Sequence, residues 1–342
     1  MSGCDDGGGG GGPPPSQVGG GGGFLQVHRR YVFSRARSEC LWRNSSLRAY
    51  LDAFDLVVVA DTTAIARPML QAGWPGRGSR TRLLLWVCNR FDYGVVGDAE
   101  YYALFRALPE RASVVAYTPF ELEYARALRG VDLDAAAMIR PIGLFAPPAT
   151  PATPATPAAA PVASIEGAAA GPPAAAERAR AFFLVPKVNE ARLGLKEALQ
   201  QLGVAAWTPG TWPHTAGRWA GEACDASCAS RVVGSFRATI HVPYAPSTFA
   251  LFEQAQAGKL TFVPSVGLML QWYAADHLFF QATPNDFVAT GMGSDPLSAR
   301  LLEMTEYYDP ANAALFVYFD SLKDLKRRVA ETDYAERERG VR

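Results

Sequence analysis

Three side chains in one short segment, Ser247, Thr248 and Glu253, have the types and spacing needed to hold a nucleotide. The segment, TIHVPYAPSTFALFEQAQAGKLTFVPS, predicts a strand ending at Pro243 and then a helix. A helix N-terminus presents unpaired N–H groups and a positive dipole end, so it suits phosphate oxygens, and the two hydroxyls add donors there. Glu253 is the one charged residue of that helix, and ribose hydroxyls would satisfy its carboxylate. Two alternatives stay open: Glu253 pairs with a distant arginine or is exposed, and Ser247 is an ordinary N-cap.

Polar residues also follow other predicted strands of the same half of the chain. Lys187 comes directly after a strand, where an amine can neutralise a leaving diphosphate. The alternative is a solvated Lys187 with Asn189 as a helix cap. His214 and Arg218 lie in the Gly-, Pro- and Trp-rich loop from Thr208 to Trp219, which could stack a base or sugar ring and contact phosphate. A plain surface loop is the alternative there.

Two aspartates follow predicted strands of the first half of the chain. In a group-transfer reaction, a base must take the proton from the hydroxyl group that receives the transferred group, and this needs a carboxylate or histidine within hydrogen-bond reach. Asp61 and Asp92 are the candidates for that base. Structural alternatives remain for both. Asp61 can cap a helix at Thr62, and Asp92 can pair with Arg90 or cap a turn. By contrast, Thr118–Glu121 has the pattern of a helix-capping box and is assigned a structural role.

The elements that must position these residues alternate between strand and helix. In the first half, strands are expected over Asp55–Ala60, Arg82–Cys88 and Ser113–Tyr117, and helices over Ala99–Leu108 and Pro119–Arg129. In the second half, strands are expected over Ala181–Val185, Val204–Trp207, Ala238–Val242, Leu260–Val263 and Leu315–Phe319, and helices over Glu190–Leu202, Thr248–Ala257 and Leu322–Val329. This alternation indicates parallel sheets with right-handed crossovers, which bind ligands beyond the carboxyl ends of their strands.

Composition divides the chain into four parts. Residues 1–23 are nearly all Gly, Pro and Ser and predict a disordered tail, and residues 146–178, which include TPATPATPA, predict a disordered Pro/Ala-rich linker. Between and after them, residues 24–145 and 179–342 are each of domain size. The predicted fold class is therefore α/β, with two Rossmann-like parallel-sheet domains facing a cleft.

Charge and hydrophobicity narrow the classes of partner and compartment. Lys plus Arg and Asp plus Glu both number 33, so no net charge favours nucleic acid or anionic lipid. No stretch approaches the roughly 18 apolar residues of a membrane span, and the first residues lack the features of a secretory signal. Five scattered cysteines favour reduced thiols, so a cytoplasmic location is expected.

The stretch PYAPSTFALFEQAQAGKLTFVPS resembles the nucleotide-sugar-binding segment of GT-B glycosyltransferases. In that family, a loop with hydroxyl and backbone donors holds the diphosphate, and a helix carboxylate holds the ribose. The resemblance implies phosphate contacts from Ser247 and Thr248 and ribose contacts from Glu253. Ala245 stands where the commonest family pattern has a first glutamate, so a retaining mechanism is not implied.

The sequence thus predicts an enzyme that moves a sugar from a nucleoside-diphosphate sugar to a glycan, lipid or protein acceptor. The acceptor is expected on the first domain and the donor on the second, with no metal and no cofactor besides the donor as co-substrate. Alternatives are a sugar-nucleotide epimerase or phosphorylase of the same fold, or a GT-B-like binding or scaffold protein without turnover.

Overall fold

The computed structural model describes residues 34–44, 46–60, 63–88, 91–92, 94–139, 175–185, 188–208, 218–219, 222–223, 232–275, 278 and 295–341. The chain divides into two compact units, residues 1–140 and 141–342. Each unit contains its own parallel sheet, so the predicted α/β class with Rossmann-like sheets is confirmed. The predicted limits of the tail, the linker and the two domains stay predictions.

The first unit is built on a four-stranded sheet in which every described pairing is parallel, in the order β1-β2-β3-β4. Its elements in chain order are α1 (Arg35–Asn44), α2 (Leu47–Leu51), β1 (Leu56–Val59), a 3₁₀ turn (Thr63–Ala66), α3 (Arg67–Gln71), β2 (Arg82–Val87), α4 (Ala99–Arg106), β3 (Ala112–Ala116), α5 (Pro119–Arg129) and β4 (Ala137–Met138). Alternate residues of β2 are buried, and an aromatic cluster packs beside them, formed by Phe91, Tyr101, Tyr102, Phe105 and Tyr124.

Helix α5 begins and ends where its sequence predicts. Pro119 occupies its first turn, and Gly130 ends it in the left-handed region at φ 63°, which favours glycine. The Thr118 half of the predicted capping box does not form, because the Thr118 side chain makes no capping bond and its buried hydroxyl has no hydrogen-bond partner among the described residues. Proline geometry and the terminal glycine therefore set the limits of this helix without the side-chain cap.

The second unit is built on a five-stranded sheet in the order β11-β10-β9-β5-β6, again with only parallel pairings among the described strands. Its elements are α6 (Ala175–Arg178), β5 (Phe182–Leu184), α7 (Val188–Arg192), α8 (Leu195–Gln201), β6 (Ala206–Trp207), β7 (Arg218–Trp219), β8 (Glu222–Ala223), β9 (Ala238–Ile240), α9 (Phe249–Gln256), β10 (Thr261–Pro264), α10 (Val266–Ala274), α11 (Pro296–Glu303), a 3₁₀ turn (Pro310–Leu315), β11 (Phe316–Phe319), α12 (Leu322–Glu331) and α13 (Tyr334–Val341). Strands β7 and β8 form a separate antiparallel pair.

The three inner strands of this sheet, β5, β9 and β10, are buried at every residue. Such strands are covered on both faces, as apolar runs in parallel sheets predict. The core lies on two sides: one cluster includes Phe183 and Phe236, and the other joins Leu251 of α9 to Tyr307 and Phe316. Burial of a large apolar side chain of this kind contributes about 1.5–3 kcal/mol.

One predicted helix is two helices in the structure. The sequence favours a single helix over Glu190–Leu202, but α7 ends at Arg192 and α8 begins at Leu195. Gly194 between them has a φ of 55°, a left-handed conformation that interrupts the helical path. As a result, Glu190 lies on a short helix of its own, directly after β5.

Helix α13 packs back onto the inner strands. The ring of Tyr334 lies 6.3 Å from those of both Phe182 and Phe262, and the Arg237 guanidinium lies 4.2 Å from its centroid on the other side. Arg337 also donates to the carbonyl oxygen of Phe316 at 3.0 Å. Within the described residues, no helix has both the length and the apolar character that a bilayer crossing requires.

Candidate functional site

The order of the strands in the second unit places a ligand-binding position between β5 and β9. If the five strands are renumbered 1 to 5 in chain order, their order in the sheet is 2-1-3-4-5. The next two strands in the chain, β6 and β9, therefore lie on opposite sides of β5. A crevice forms at such a switch point, outside the carboxyl ends of the two strands. The residues that follow β5 and β9 therefore form the candidate site.

The two predicted phosphate ligands, Ser247 and Thr248, lie after β9. The helix cap is Thr248 and not Ser247, the residue that the sequence suggested. Thr248 is the N-cap of α9, and its Oγ1 accepts from the backbone N–H of Leu251 at 3.3 Å. Ser247 therefore does not cap the helix. Its buried Oγ has no hydrogen-bond partner among the described residues. A buried hydroxyl without a partner costs free energy, which a ligand oxygen at this helix end would recover.

Glu253, the predicted ribose ligand, is half-buried on α9. Burial alone raises the pKa of its carboxyl group above the ordinary glutamate value. Within the described part of the chain, no arginine or lysine pairs with it, and no side chain donates to it. Both structural alternatives from the sequence, a distant arginine partner and a fully exposed side chain, are absent from these residues.

Sequence reasoning missed three buried residues at the switch point: Glu190 of α7, His241 after β9, and Tyr307. His241 Nδ1 lies 3.1 Å from Glu190 Oε1, without the alignment of a hydrogen bond, and His241 Nε2 lies 2.8 Å from Tyr307 Oη. Tyr307 Oη in turn lies 3.4 Å from Thr248 Oγ1. The line of contacts therefore joins a buried carboxylate to the N-terminus of α9.

Backbone contacts hold this line in place. Glu190 Oε1 accepts from the backbone N–H of Val242 at 2.9 Å, and Asn189 donates to the carbonyl oxygen of Pro243 at 2.7 Å. These bonds connect α7 to the loop after β9 across the switch point. The only sequence signals for these residues were a histidine in the apolar run TIHVP and an Asn–Glu pair after a strand.

Burial also affects the tyrosine next to the imidazole. The Tyr244 ring meets the His241 ring edge-on at 5.9 Å. Burial, with the nearby negative charge of Glu190 as the lesser cause, raises the pKa of Tyr244 well above its ordinary value. Tyr244 is therefore a neutral phenol at physiological pH, and it adds no charge to the cluster.

Asp92, a candidate base, lies in the first unit in a buried network. It is fully buried, accepts from Arg129 Nε at 2.7 Å and from the Tyr102 hydroxyl at 2.9 Å, and is also contacted by the Tyr124 hydroxyl. Burial, together with the Asp92 charge, raises the pKa of Tyr102 to about 12. The pairing with Arg129 favours the structural alternative, and Arg90, the partner suggested by the sequence, lies outside the described residues.

The remaining predicted site residues lie outside the described part of the chain. This holds for Asp61, Lys187 and His214, and for Arg218 the structure describes the backbone on β7 but not the side chain. Their roles stay predictions.

The described cysteines and acidic residues bear on the expectations of no metal and of reduced thiols. The described residues contain no group of three or more His, Cys, Asp or Glu side chains that could hold a metal ion. Sequence reasoning overlooked one Asp–x–Asp motif, Asp132–Leu133–Asp134, in which Asp132 Oδ1 accepts from the Asp134 backbone N–H as in a tight turn. Cys88 is not in a disulfide, whereas Cys40 is disulfide-bonded, so the expectation of reduced thiols is wrong for Cys40.

The switch point thus combines donors suited to an anion with a carboxylate suited to hydroxyl groups. Ser247, Thr248 and the N–H groups of α9 can donate to phosphate oxygens, and Glu253 can accept from a diol.

Comparison of the chain with models of protein families finds no match, and comparison with curated protein sequences finds none either.

Proposed function

We propose that the protein is a glycosyltransferase that takes its sugar from a nucleoside-diphosphate sugar bound at the switch point of the second unit. The observation that carries the proposal is the Glu253 carboxylate, which is half-buried and without a partner among the described residues. A carboxylate in such surroundings is costly unless a ligand supplies hydrogen bonds. The two hydroxyls of a ribose supply them in a geometry that one carboxylate can accept.

The phosphate end of the site supports the same ligand. Ser247 and Thr248 lie at the N-terminus of α9, and Glu253 follows five residues beyond the Thr248 cap. At ~1.5 Å per residue this separates them by ~7.5 Å along the helix axis. That spacing is comparable to the distance between a ribose diol and the phosphates on its 5′ carbon. One helix therefore offers donors to the diphosphate and an acceptor to the ribose.

The reaction assigned to this site needs mainly positioning and charge stabilisation. The acceptor oxygen forms a bond to the anomeric carbon of the sugar, the bond from that carbon to the diphosphate oxygen breaks, and the diphosphate leaves with its charge. The acceptor proton passes to a base, for which Asp61 remains the candidate because Asp92 is enclosed by Arg129, Tyr102 and Tyr124. The helix end and its hydroxyls stabilise the departing diphosphate.

The first experiment is a thermal-shift panel of UDP, GDP and ADP, their nucleosides and their sugar conjugates. A rise in Tm with one diphosphate and its sugar conjugate, followed by donor hydrolysis or transfer, is the expected result. Binding without any turnover would support a GT-B-like binding protein instead. No response to any nucleotide would refute the proposal.

A pair of variants tests the role of Glu253 with the nucleotide that binds. Glu253→Gln keeps the size but loses the charge that strengthens hydrogen bonds by about 1.5–3 kcal/mol, so affinity should fall at least about tenfold by calorimetry. A 2′,3′-dideoxy nucleotide should bind the wild type weakly, and its affinity should not change with the substitution. Glu303→Gln is the matched control, since Glu303 is exposed on α11. Equal affinities of Glu253→Gln and the wild type would place the ribose elsewhere.

A further inference from the structure

The contacts from Glu190 through His241 and Tyr307 to Thr248 form a single line that can carry a reversal of hydrogen-bond direction. Successive distances along it are 3.1, 2.8 and 3.4 Å. The first three side chains are almost completely buried, whereas Thr248 is partly exposed at the helix end. The protons of the His241 ring and the Tyr307 hydroxyl are therefore shielded from water.

The position of one proton follows from the contact at the buried end. Two acceptor lone pairs 3.1 Å apart would repel each other in buried surroundings, so His241 Nδ1 carries a proton toward the Glu190 carboxylate. Nε2 of a neutral imidazole is then an acceptor, and the Tyr307 hydroxyl donates to it. The Thr248 hydroxyl donates in turn to Tyr307. In this state Thr248 presents only lone pairs to a ligand at the start of α9.

A second proton on the imidazole, at Nε2, reverses the two bonds that lead from His241 through Tyr307 to Thr248. Nε2–H donates to the Tyr307 oxygen, and the Tyr307 hydroxyl donates to Thr248 Oγ1. The Thr248 hydroxyl is thereby released to donate to a ligand. The same proton neutralises the Glu190 charge, which would otherwise repel an anion. The charged and titratable groups facing His241 among the described residues are Glu190 on α7, Tyr307, and the neutral Tyr244 ring.

We propose that Glu190, His241 and Tyr307 are positioning residues that turn Thr248 into a phosphate donor when His241 takes up a proton, so that the diphosphate binds together with that proton. The inference rests on the proposed nucleotide site and defines its dependence on pH. The Ser247 hydroxyl beside Thr248, which has no hydrogen-bond partner in the described part of the chain, is an independent indication that an anion belongs at this position. Glu190, His241 and Tyr307 thus prepare the site for phosphate without touching it themselves.

Calorimetry of the full chain with UDP, GDP, ADP and inorganic pyrophosphate, in buffers of different ionisation enthalpy, measures the proton taken up. The wild type should take up close to one proton per bound anion at neutral pH. Its affinity, relative to that of His241→Asn, should fall as the pH rises. The slope should approach about tenfold per pH unit, as linkage to one proton requires.

Variants separate this role from a purely structural one. Tyr307→Phe and Thr248→Val should abolish proton uptake and flatten the pH profile, and Thr248→Ser should restore both. Tyr308→Phe is the matched control, because the Tyr308 hydroxyl donates to the Pro264 carbonyl outside the line. Tyr308→Phe should keep the proton uptake and the pH dependence of affinity of the wild type. Tyr307→Phe retains the ring, so the test does not depend on whether His241→Asn folds.

An NMR spectrum of ¹⁵N-labelled histidine gives a readout without any ligand. His241 should be the Nδ1–H tautomer in the empty protein at pH 8, and the doubly protonated ring in the complex. The Nε2–H tautomer in the empty protein would overturn the inference. Nucleotide binding without proton uptake would also overturn it while leaving the proposed function intact. If only pyrophosphate bound, with proton uptake, the result would support the role of Glu190, His241 and Tyr307 but refute the nucleotide site. If none of the anions bound, both the inference and the proposed function would be refuted.

Discussion

Glu253 should contribute less to the stability of the empty protein at neutral pH, where its carboxylate is charged, than in acid. Burial raises its pKa above the ordinary value of 4.5, so between these two values the folded protein holds a proton that the unfolded chain releases. Stability from this group is therefore lost as the pH rises through that interval. Glu253→Gln should thus raise the free energy of unfolding at pH 7, and the gain should shrink toward pH 4.

Urea unfolding at both pH values measures this difference, with Glu303→Gln as the control that should change little. A fall in stability at pH 7 for Glu253→Gln would show that the carboxylate is a structural partner, and it would remove the observation on which the proposed function depends.

The Asp92 carboxylate, unlike that of Glu253, should stabilise the folded protein. Its carboxylate pairs with Arg129 and with two tyrosine hydroxyls, and it is fully buried. Removing one partner of a buried ion pair typically costs about 3–5 kcal/mol, and Asp92→Asn, which keeps the shape, should lose a large part of that. Denaturant unfolding should show the loss, with nucleotide affinity unchanged. A loss of turnover of about 10²–10⁴-fold at normal stability would instead identify Asp92 as the base.

The candidate site was predictable from the sequence only where its residues are neighbours in the chain. Ser247, Thr248 and Glu253 share one loop and helix, so local rules identified them. Tyr307 lies 59 positions after Thr248, and its contact depends on how the sheet brings distant segments together. His241 was assigned to a strand interior, yet the strand ladder ends at Ile240, one residue before it.

Among the elements, strands were the most predictable because their apolar runs are bounded by glycines, prolines and polar residues. The predicted strands at Arg82–Cys88 and Leu315–Phe319 match β2 and β11 to within one residue at each end. Helices α10 and α11 went unpredicted, although Ser265 and Asp295 cap them with side-chain bonds. Helix α10 has no charged residue to mark a polar face, so its periodicity is weak.

Gly194 provides a test at the break between α7 and α8. Its φ of 55° is strained for any residue with a Cβ, so Gly194→Ala should destabilise the protein by ~1–2 kcal/mol. The same substitution at Gly267, in the first turn of α10, adds a Cβ with only ordinary contact to Ser265 and should be neutral or stabilising by up to ~1 kcal/mol. Thermal unfolding of the two variants should therefore shift in opposite directions. An equal effect at both positions would contradict this account of the break.

The division of the chain into two units has a consequence for binding. Every described residue of the candidate nucleotide site belongs to the unit of residues 141–342. A chain of residues 175–342, which contains the whole five-stranded sheet, should therefore bind the nucleotide with an affinity close to that of the full chain. Calorimetry on both chains checks this. A loss of more than about tenfold, or about 1.4 kcal/mol, would mean that the first unit contributes to donor binding.

The packing of Tyr334 against Phe182 also imposes an order of events during synthesis. Strand β5 emerges early in the second unit, but the α13 ring that covers it follows about 150 residues later, or roughly 8–30 s at 5–20 residues per second. Until then, the apolar strand that begins the nucleotide sheet lacks one of its final neighbours. During this interval an apolar strand is exposed to pairing with the strands of other chains, so the late contact from α13 protects β5 only once the chain is nearly finished.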